Sequence, residues 1–110
     1  MAWEHLTSEI QLNNSWELSY EKAQLFFKHS TRCNISTMAL NRFEGSGILN
    51  NEAIECYYLD LLNYRDLSNL IAEKSGVQHQ SPQVIVIRNG EVIYSESHGM
   101  INGREIEKMI

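Results

Sequence analysis

The residues best suited to chemistry are a cysteine and the cations around it. Cys33 lies in the run Phe26-Phe27-Lys28-His29-Ser30-Thr31-Arg32-Cys33-Asn34-Ile35-Ser36, where an apolar strand gives way to a helical pattern. A helix opening there aims unpaired backbone N–H groups and the positive end of its dipole at the sulfur. Arg32 is adjacent, and Lys28 and His29 are nearby. Helix N-termini and cations favour thiolate over thiol, and thiolate is the form that attacks disulfides. The expected chemistry is thiol–disulfide exchange at Cys33. Ser36 stands one helical turn on, where its hydroxyl can donate to the thiolate. A hydroxyl cannot open a mixed disulfide, so a second thiol must, either an external one or Cys56. Cys56 lies inside Ile54-Glu55-Cys56-Tyr57-Tyr58, where burial in a sheet is the plainer expectation. A one-cysteine route follows.

Those residues need a frame. Ser8 with Gln11 makes a capping-box pattern for a helix running to about Leu18, though its apolar spacing (Ile10, Leu12, Trp16) is poor. Ala23 to Lys28 reads as a buried strand. Met38, Ala39, Leu40 and Phe43 give a helical face from Cys33 to about Phe43, closed by Gly45-Ser46-Gly47. Ile54 to Leu59 is the next strand. Asn63 can cap a helix with the stripe Leu67, Leu70 and Ile71 and a stop at Gly76. Val84 to Ile87 and Val92 to Tyr94 flank Asn89-Gly90, the dipeptide of a type I′ hairpin. A last helix spans about Asn102 to Ile110. Strands separated by helices pair in parallel, and the hairpin adds antiparallel pairing. The expected fold is α/β and thioredoxin-like, a mixed central sheet with helices on both faces. Pro82, the one proline, opens the hairpin's first strand, where proline is tolerated. By analogy with that fold, a cis Ser81–Pro82 bond is expected beside Cys33.

Composition narrows the class. A chain of 110 residues supports one domain, residues 1–110, and 43% hydrophobic with 21% charged content is ordinary for a globular protein. A net charge of −5 argues against nucleic acid or an anionic membrane as partner. No apolar run reaches the length of a membrane span, and no export signal opens the chain. Two cysteines are too few for a disulfide-stapled module, so a reducing, cytoplasmic setting is expected. His29 and Cys33 are four apart, with His79 and His98 elsewhere, but no Cys-x-x-Cys or helical histidine pair supports a metal. No nucleophile elbow, phosphate loop or dinucleotide fingerprint is present, and no tightly bound cofactor is expected.

The segment Lys28-His29-Ser30-Thr31-Arg32-Cys33-x-Ile35-Ser36, with His79-x-Ser81-Pro82-Gln83 and Ser97-His98, resembles the monothiol bacilliredoxin family over nearly the whole chain. Its members are also called bacillithiol system redox-active proteins and general stress proteins. The resemblance implies a thioredoxin fold, a cytosolic location and exchange with bacillithiol, a cysteinyl-glucosamine-malate thiol that serves as cosubstrate. Cys33 falls on the family's active-site cysteine. Asn34 replaces the usual proline, which removes a preset φ and adds an N–H. By analogy with glutaredoxin-like proteins, the Ser81 backbone would pair with the cysteinyl part of the ligand. Gln80 and Gln83 would contact peptide groups, and His98 and Gly99 would meet the ligand's far end. Lys28, Arg32 and Arg65 would meet the malate carboxylates, although Arg65 reads more simply as a solvated charge on a helix. Thr31 and Ser36 would orient the thiolate, and Pro82 would keep the facing loop close. The expected function is a monothiol oxidoreductase that removes bacillithiol from S-bacillithiolated client proteins. Two other readings stand beside it: a non-catalytic binding module using the same groove, and a stress sensor that forms a Cys33–Cys56 disulfide.

Overall fold

The computed structural model describes residues 3–110. In chain order the elements are β1 (Glu4–His5), α1 (Glu9–Leu18), β2 (Ala23–His29), α2 (Asn34–Gly45), β3 (Ile54–Asp60), α3 (Arg65–Ser75), β4 (Gln83–Arg88), β5 (Glu91–Ser97) and α4 (Gly103–Glu107). The sheet order is β1-β3-β2-β4-β5. β3 runs parallel to β1 and β2, whereas β4 runs antiparallel to β2 and β5. The mixed sheet is thus the expected one.

All seven residues of β2 are buried, which explains its unbroken apolar reading: a central strand covered on both faces needs no polar side. Successive side chains still alternate between faces. Leu25 and Phe27 pack with Ala39 and Phe43 of α2 and Ile106 of α4. Phe26 packs oppositely with Leu12 of α1 and Leu67 and Ile71 of α3. Extending that alternation puts His29 on the α2 face and Lys28 on the α3 face.

The local signals behave as their chemistry requires, with three differences. Ser8 caps α1 by accepting the Gln11 N–H at 3.2 Å. That helix buries only Leu12 and Ser15, and Ile10 is exposed, which accounts for its poor apolar spacing. Asn89 and Gly90 have φ of 56° and 76°, the positive values a type I′ turn demands. β1 had no signal in the sequence; its two exposed residues are held by pairing with Tyr57 and Tyr58. The N-cap of α3 is Tyr64 rather than Asn63, whose amide instead donates to Asp60 Oδ2 at 2.8 Å. α4 is shorter than expected, capped by Asn102 and ending at Glu107.

Candidate active site

β2 ends at His29 and α2 begins at Asn34, so residues 30–33 make a tight turn. The turn closes through the Cys33 N–H, which donates to the Ser30 carbonyl at 3.2 Å. Cys33 is the N-cap of α2 in an extended conformation, φ −117° and ψ 118°, and its carbonyl accepts the Thr37 N–H at 3.0 Å. Its side chain makes no capping hydrogen bond, and the residue is half-buried. The sulfur therefore sits at the positive end of a twelve-residue helix whose first turn carries no acidic side chain.

Ser36 is fully buried, and its hydroxyl bonds elsewhere than expected. It accepts the Ser30 N–H at 3.1 Å and lies 2.7 Å from His29 Nδ1. These bonds tie the first turn of α2 back to the end of β2 and brace the loop that carries Cys33. Ser36 thus acts on the turn and makes no hydrogen bond to the sulfur. His29 itself is 4% exposed, and burial moves its imidazole below the ordinary histidine range despite the opposing pull of Asp60 and Glu44. Burial thus favours the neutral ring, which braces the turn rather than adding a cation beside the sulfur. The sequence suggests for His29 a nearby charge or, with Cys33, a metal ligand, and neither is its place here. The signal for its real position was the two-residue period of β2, which sends it with Phe27 towards α2.

Lys28 requires a correction. It is 0% exposed on the α3 face, where Nζ donates to the Ser68 carbonyl at 3.2 Å and lies 3.3 Å from His79 Nδ1. Burial lowers its ammonium to about 8. Lys28 therefore does not reach the surface around Cys33 to meet a carboxylate. Of the cations expected beside the sulfur, exposed Arg32 is the one left on the turn, with Thr31 exposed next to it. Arg65 is exposed at the start of α3, on the opposite face from α2.

The Pro82 loop lies at the same end of the sheet. Gln83 pairs with Lys28 in register, which places Pro82 level with the exit of β2. The Ser81–Pro82 peptide is cis. Pro82 is buried, and its carbonyl accepts the His98 N–H at 3.1 Å, bringing exposed His98 and Gly99 to this end as well. Ser81 Oγ is buried with no hydrogen-bond partner. Gln83 is also buried, and its amide donates to the Gln78 carbonyl at 3.0 Å and accepts the Gln80 N–H at 3.4 Å. It organises the loop and is not presented to a ligand; the Gln80 side chain is exposed.

Cys56 is 6% exposed, and burial pushes its thiol up to about 12. In register it faces Leu25, while Asp60 faces His29. Four strand residues separate those levels, roughly 13 Å at ~3.3 Å each. A disulfide requires Cα atoms within about 7 Å. Cys33 caps its helix beyond His29, so the folded chain cannot close a Cys33–Cys56 bond. The sensor reading loses its switch.

Among the described residues no three His, Cys, Asp or Glu side chains converge as a metal site, and no helix is long and apolar enough to cross a membrane. The family model for monothiol bacilliredoxin BrxC matches residues 4–106. A solved candidate oxidoreductase with a thioredoxin fold is 34% identical, with a TM-score of 0.78 over 96% of this chain and 90% of that one. Thioredoxin from Nicotiana alata aligns with TM-score 0.71 at 16% identity, over 97% of this chain and 88% of its own. Thioredoxin from Malassezia sympodialis gives TM-score 0.70 at 16% identity, over 98% and 87%. The latter two attest the fold alone.

Proposed function

The chain belongs to the monothiol bacilliredoxin family, and from that premise we propose that it removes bacillithiol from S-bacillithiolated proteins by exchange at Cys33. Family and fold support thiol redox chemistry in general. The finer reading rests on one observation: a half-buried sulfur, free of capping duty, at the N-terminus of α2.

The Cys33 thiolate attacks the bacillithiol sulfur of a client mixed disulfide. The S–S bond to the client breaks, an S–S bond to Cys33 forms, and the client leaves as thiolate and takes a proton from water. A second bacillithiol thiolate then attacks the adduct's outer sulfur, releasing Cys33 and forming bacillithiol disulfide. Electrons balance at each exchange, and the disulfide is reduced elsewhere. The helix dipole favours the anionic sulfur both as nucleophile and as leaving group. The backbone at Ser81, before Pro82, offers a short edge for the cysteinyl part of the ligand. Arg32 and Thr31 flank the approach. Cys56 takes no part, which leaves the external thiol as resolver and matches a cytoplasmic thiol pool.

A purified S-bacillithiolated client provides the test, with release followed by intact mass. The wild-type protein should free the client and carry the bacillithiol adduct on Cys33, and Cys33→Ser should do neither. If Cys33→Ser still binds the client and wild type releases nothing, the non-catalytic module is the correct reading. Faster release from glutathione or coenzyme A mixed disulfides would reassign the thiol.

A further inference from the structure

The strand end that holds Cys33 also leads, through the His98–Pro82 hydrogen bond, to a recess between the end of α2 and the start of α4. Its volume is about 550 Å³, and Arg42, Gly45, Ser46, Gly99, Gly103 and Arg104 line it with the Met100–Asn102 segment. No carboxylate lines it, although the chain carries a net charge of −5. Among the described residues the ion pairs are Lys22–Glu55 and Lys108–Glu105, so neither arginine is held in one. Arg42 donates to the His98 carbonyl at 3.2 Å and the Ile101 carbonyl at 3.5 Å, which orients its guanidinium without cancelling its charge. Its remaining N–H groups stay available. The walls stand close because Gly103 has no side chain: a Cβ there would meet Ser46 Oγ and come within 2.9 Å of Ser46 Cβ.

We propose that this recess binds a pair of carboxylates and receives the anionic end of the thiol that Cys33 exchanges, a reading that rests on the proposed exchange function. Two guanidinium groups suit two carboxylates better than one compact anion: Arg104 is free to hold one bidentately, while Arg42, whose Nη2 serves the His98 and Ile101 carbonyls, meets the other through a remaining N–H. Arg42 lies nine residues after Cys33 on α2, roughly 13 Å along the axis. A thiol whose carboxylates are separated from its sulfur by a sugar-sized spacer spans that interval along the Pro82–His98 edge. The recess thereby supplies the carboxylate contacts that buried Lys28 does not.

Binding can be read without turnover. The whole protein is titrated with malate, and separately with inorganic phosphate, at constant ionic strength while backbone amide shifts are followed by NMR. Malate should produce saturable shifts at Gly99 and Gly103 that Arg104→Glu abolishes. Absence of saturation, indifference to Arg104→Glu, or tighter binding of phosphate would each overturn the dicarboxylate assignment. Kinetics supply the second arm. Arg104→Glu should raise KM for the bacillithiol mixed disulfide about fivefold or more relative to that for the neutral mercaptoethanol mixed disulfide, and the gap should shrink in salt. An equal rise for both thiols would mean a general structural effect and defeat the proposal. If wild-type Cys33 exchanges with no thiol, the function proposed above fails, and the recess then stands or falls on the malate titration alone. Arg104 makes no side-chain hydrogen bond or ion pair among the described residues, so its replacement spares the fold; Arg42→Lys, which retains the charge, should weaken malate binding less than Arg104→Glu does.

Discussion

Replacing Lys28 with methionine should remove a large, pH-dependent component of stability. Lys28 is completely buried, and its ammonium is lowered from 10.5 to about 8 by desolvation. The unfolded chain keeps that proton up to about 10.5, while the folded chain gives it up near 8. Between those limits the unfolded state binds more protons, so stability must rise with pH. One proton corresponds to about 1.4 kcal/mol per pH unit, which makes the full window worth on the order of 3 kcal/mol. Other groups act in the opposite sense. The Cys56 thiol and Tyr57 phenol are both pushed up to about 12, from 9.0 and 10.0, so the unfolded chain ionises them first and stability falls as pH climbs past 9. The wild-type curve alone would mix these effects. Subtracting the Lys28→Met curve cancels them, because methionine is an unbranched side chain that can fill much of the same space and does not titrate. The variant leaves the Ser68 carbonyl and His79 without the ammonium, a loss of ~1–3 kcal/mol that changes little with pH in this range. Urea unfolding of both proteins at pH 7, 8, 9 and 10.5 measures the difference. Wild type should gain on the variant by on the order of 3 kcal/mol between pH 8 and 10.5. A difference that stays flat across that range would refute the burial argument, and with it the claim that Lys28 is unavailable to a ligand.

Three further outcomes follow from the same geometry. Ser36→Ala leaves buried His29 Nδ1 and the half-buried Ser30 N–H without a partner, so thermal unfolding should show a loss of ~1–3 kcal/mol, and client release should slow as the Cys33 turn loosens. Asn34→Pro puts proline at the first position of α2, where its fixed φ suits the helix; chemical denaturation should show a gain of roughly 0.4–1 kcal/mol, and a loss would mean the turn is shaped around the asparagine N–H. Cys56→Ala should cost about 1 kcal/mol of stability by opening a small cavity, yet leave bacillithiol release within about twofold of wild type; abolished release would make Cys56 the resolving thiol.

Much of the frame was legible because it rests on local chemistry. Asn89-Gly90 has few alternatives to a type I′ turn, and Ser8 has an orphan N–H to satisfy wherever α1 starts. What escaped was made by distant partners. β1 is a strand because Tyr57 and Tyr58 pair with it, and nothing in Glu4-His5 says so. Asn63 looks like a cap, but Asp60 competes for its amide and wins. α1 has little apolar face to read, since it buries a leucine and a serine.

The same division explains the site. The sequence around Cys33 points to the sulfur proposed to react, because a sulfur at a strand-to-helix boundary meets the dipole whatever the rest of the chain does. Which side chains surround it is decided by β2, the strand where the sheet changes from parallel to antiparallel pairing. Its exit is level with both the end of β3, where the Leu61 N–H donates to the His29 carbonyl at 2.9 Å, and the start of β4, where Gln83 meets Lys28. Such a reversal leaves a crevice at the strand ends. In this chain it gathers Cys33, Pro82 and His98 from segments far apart in sequence. The two residues before the turn are then sorted by strand alternation alone. His29 goes to α2 and becomes a brace, while Lys28 goes to α3 and becomes a buried cation. A run of Lys-His-Ser-Thr-Arg-Cys therefore reads as one basic cluster, yet the pleat divides it between two faces. In the proposed exchange, the charge offered to an incoming ligand is that of Arg32 and of arginines that chain order places well after the cysteine.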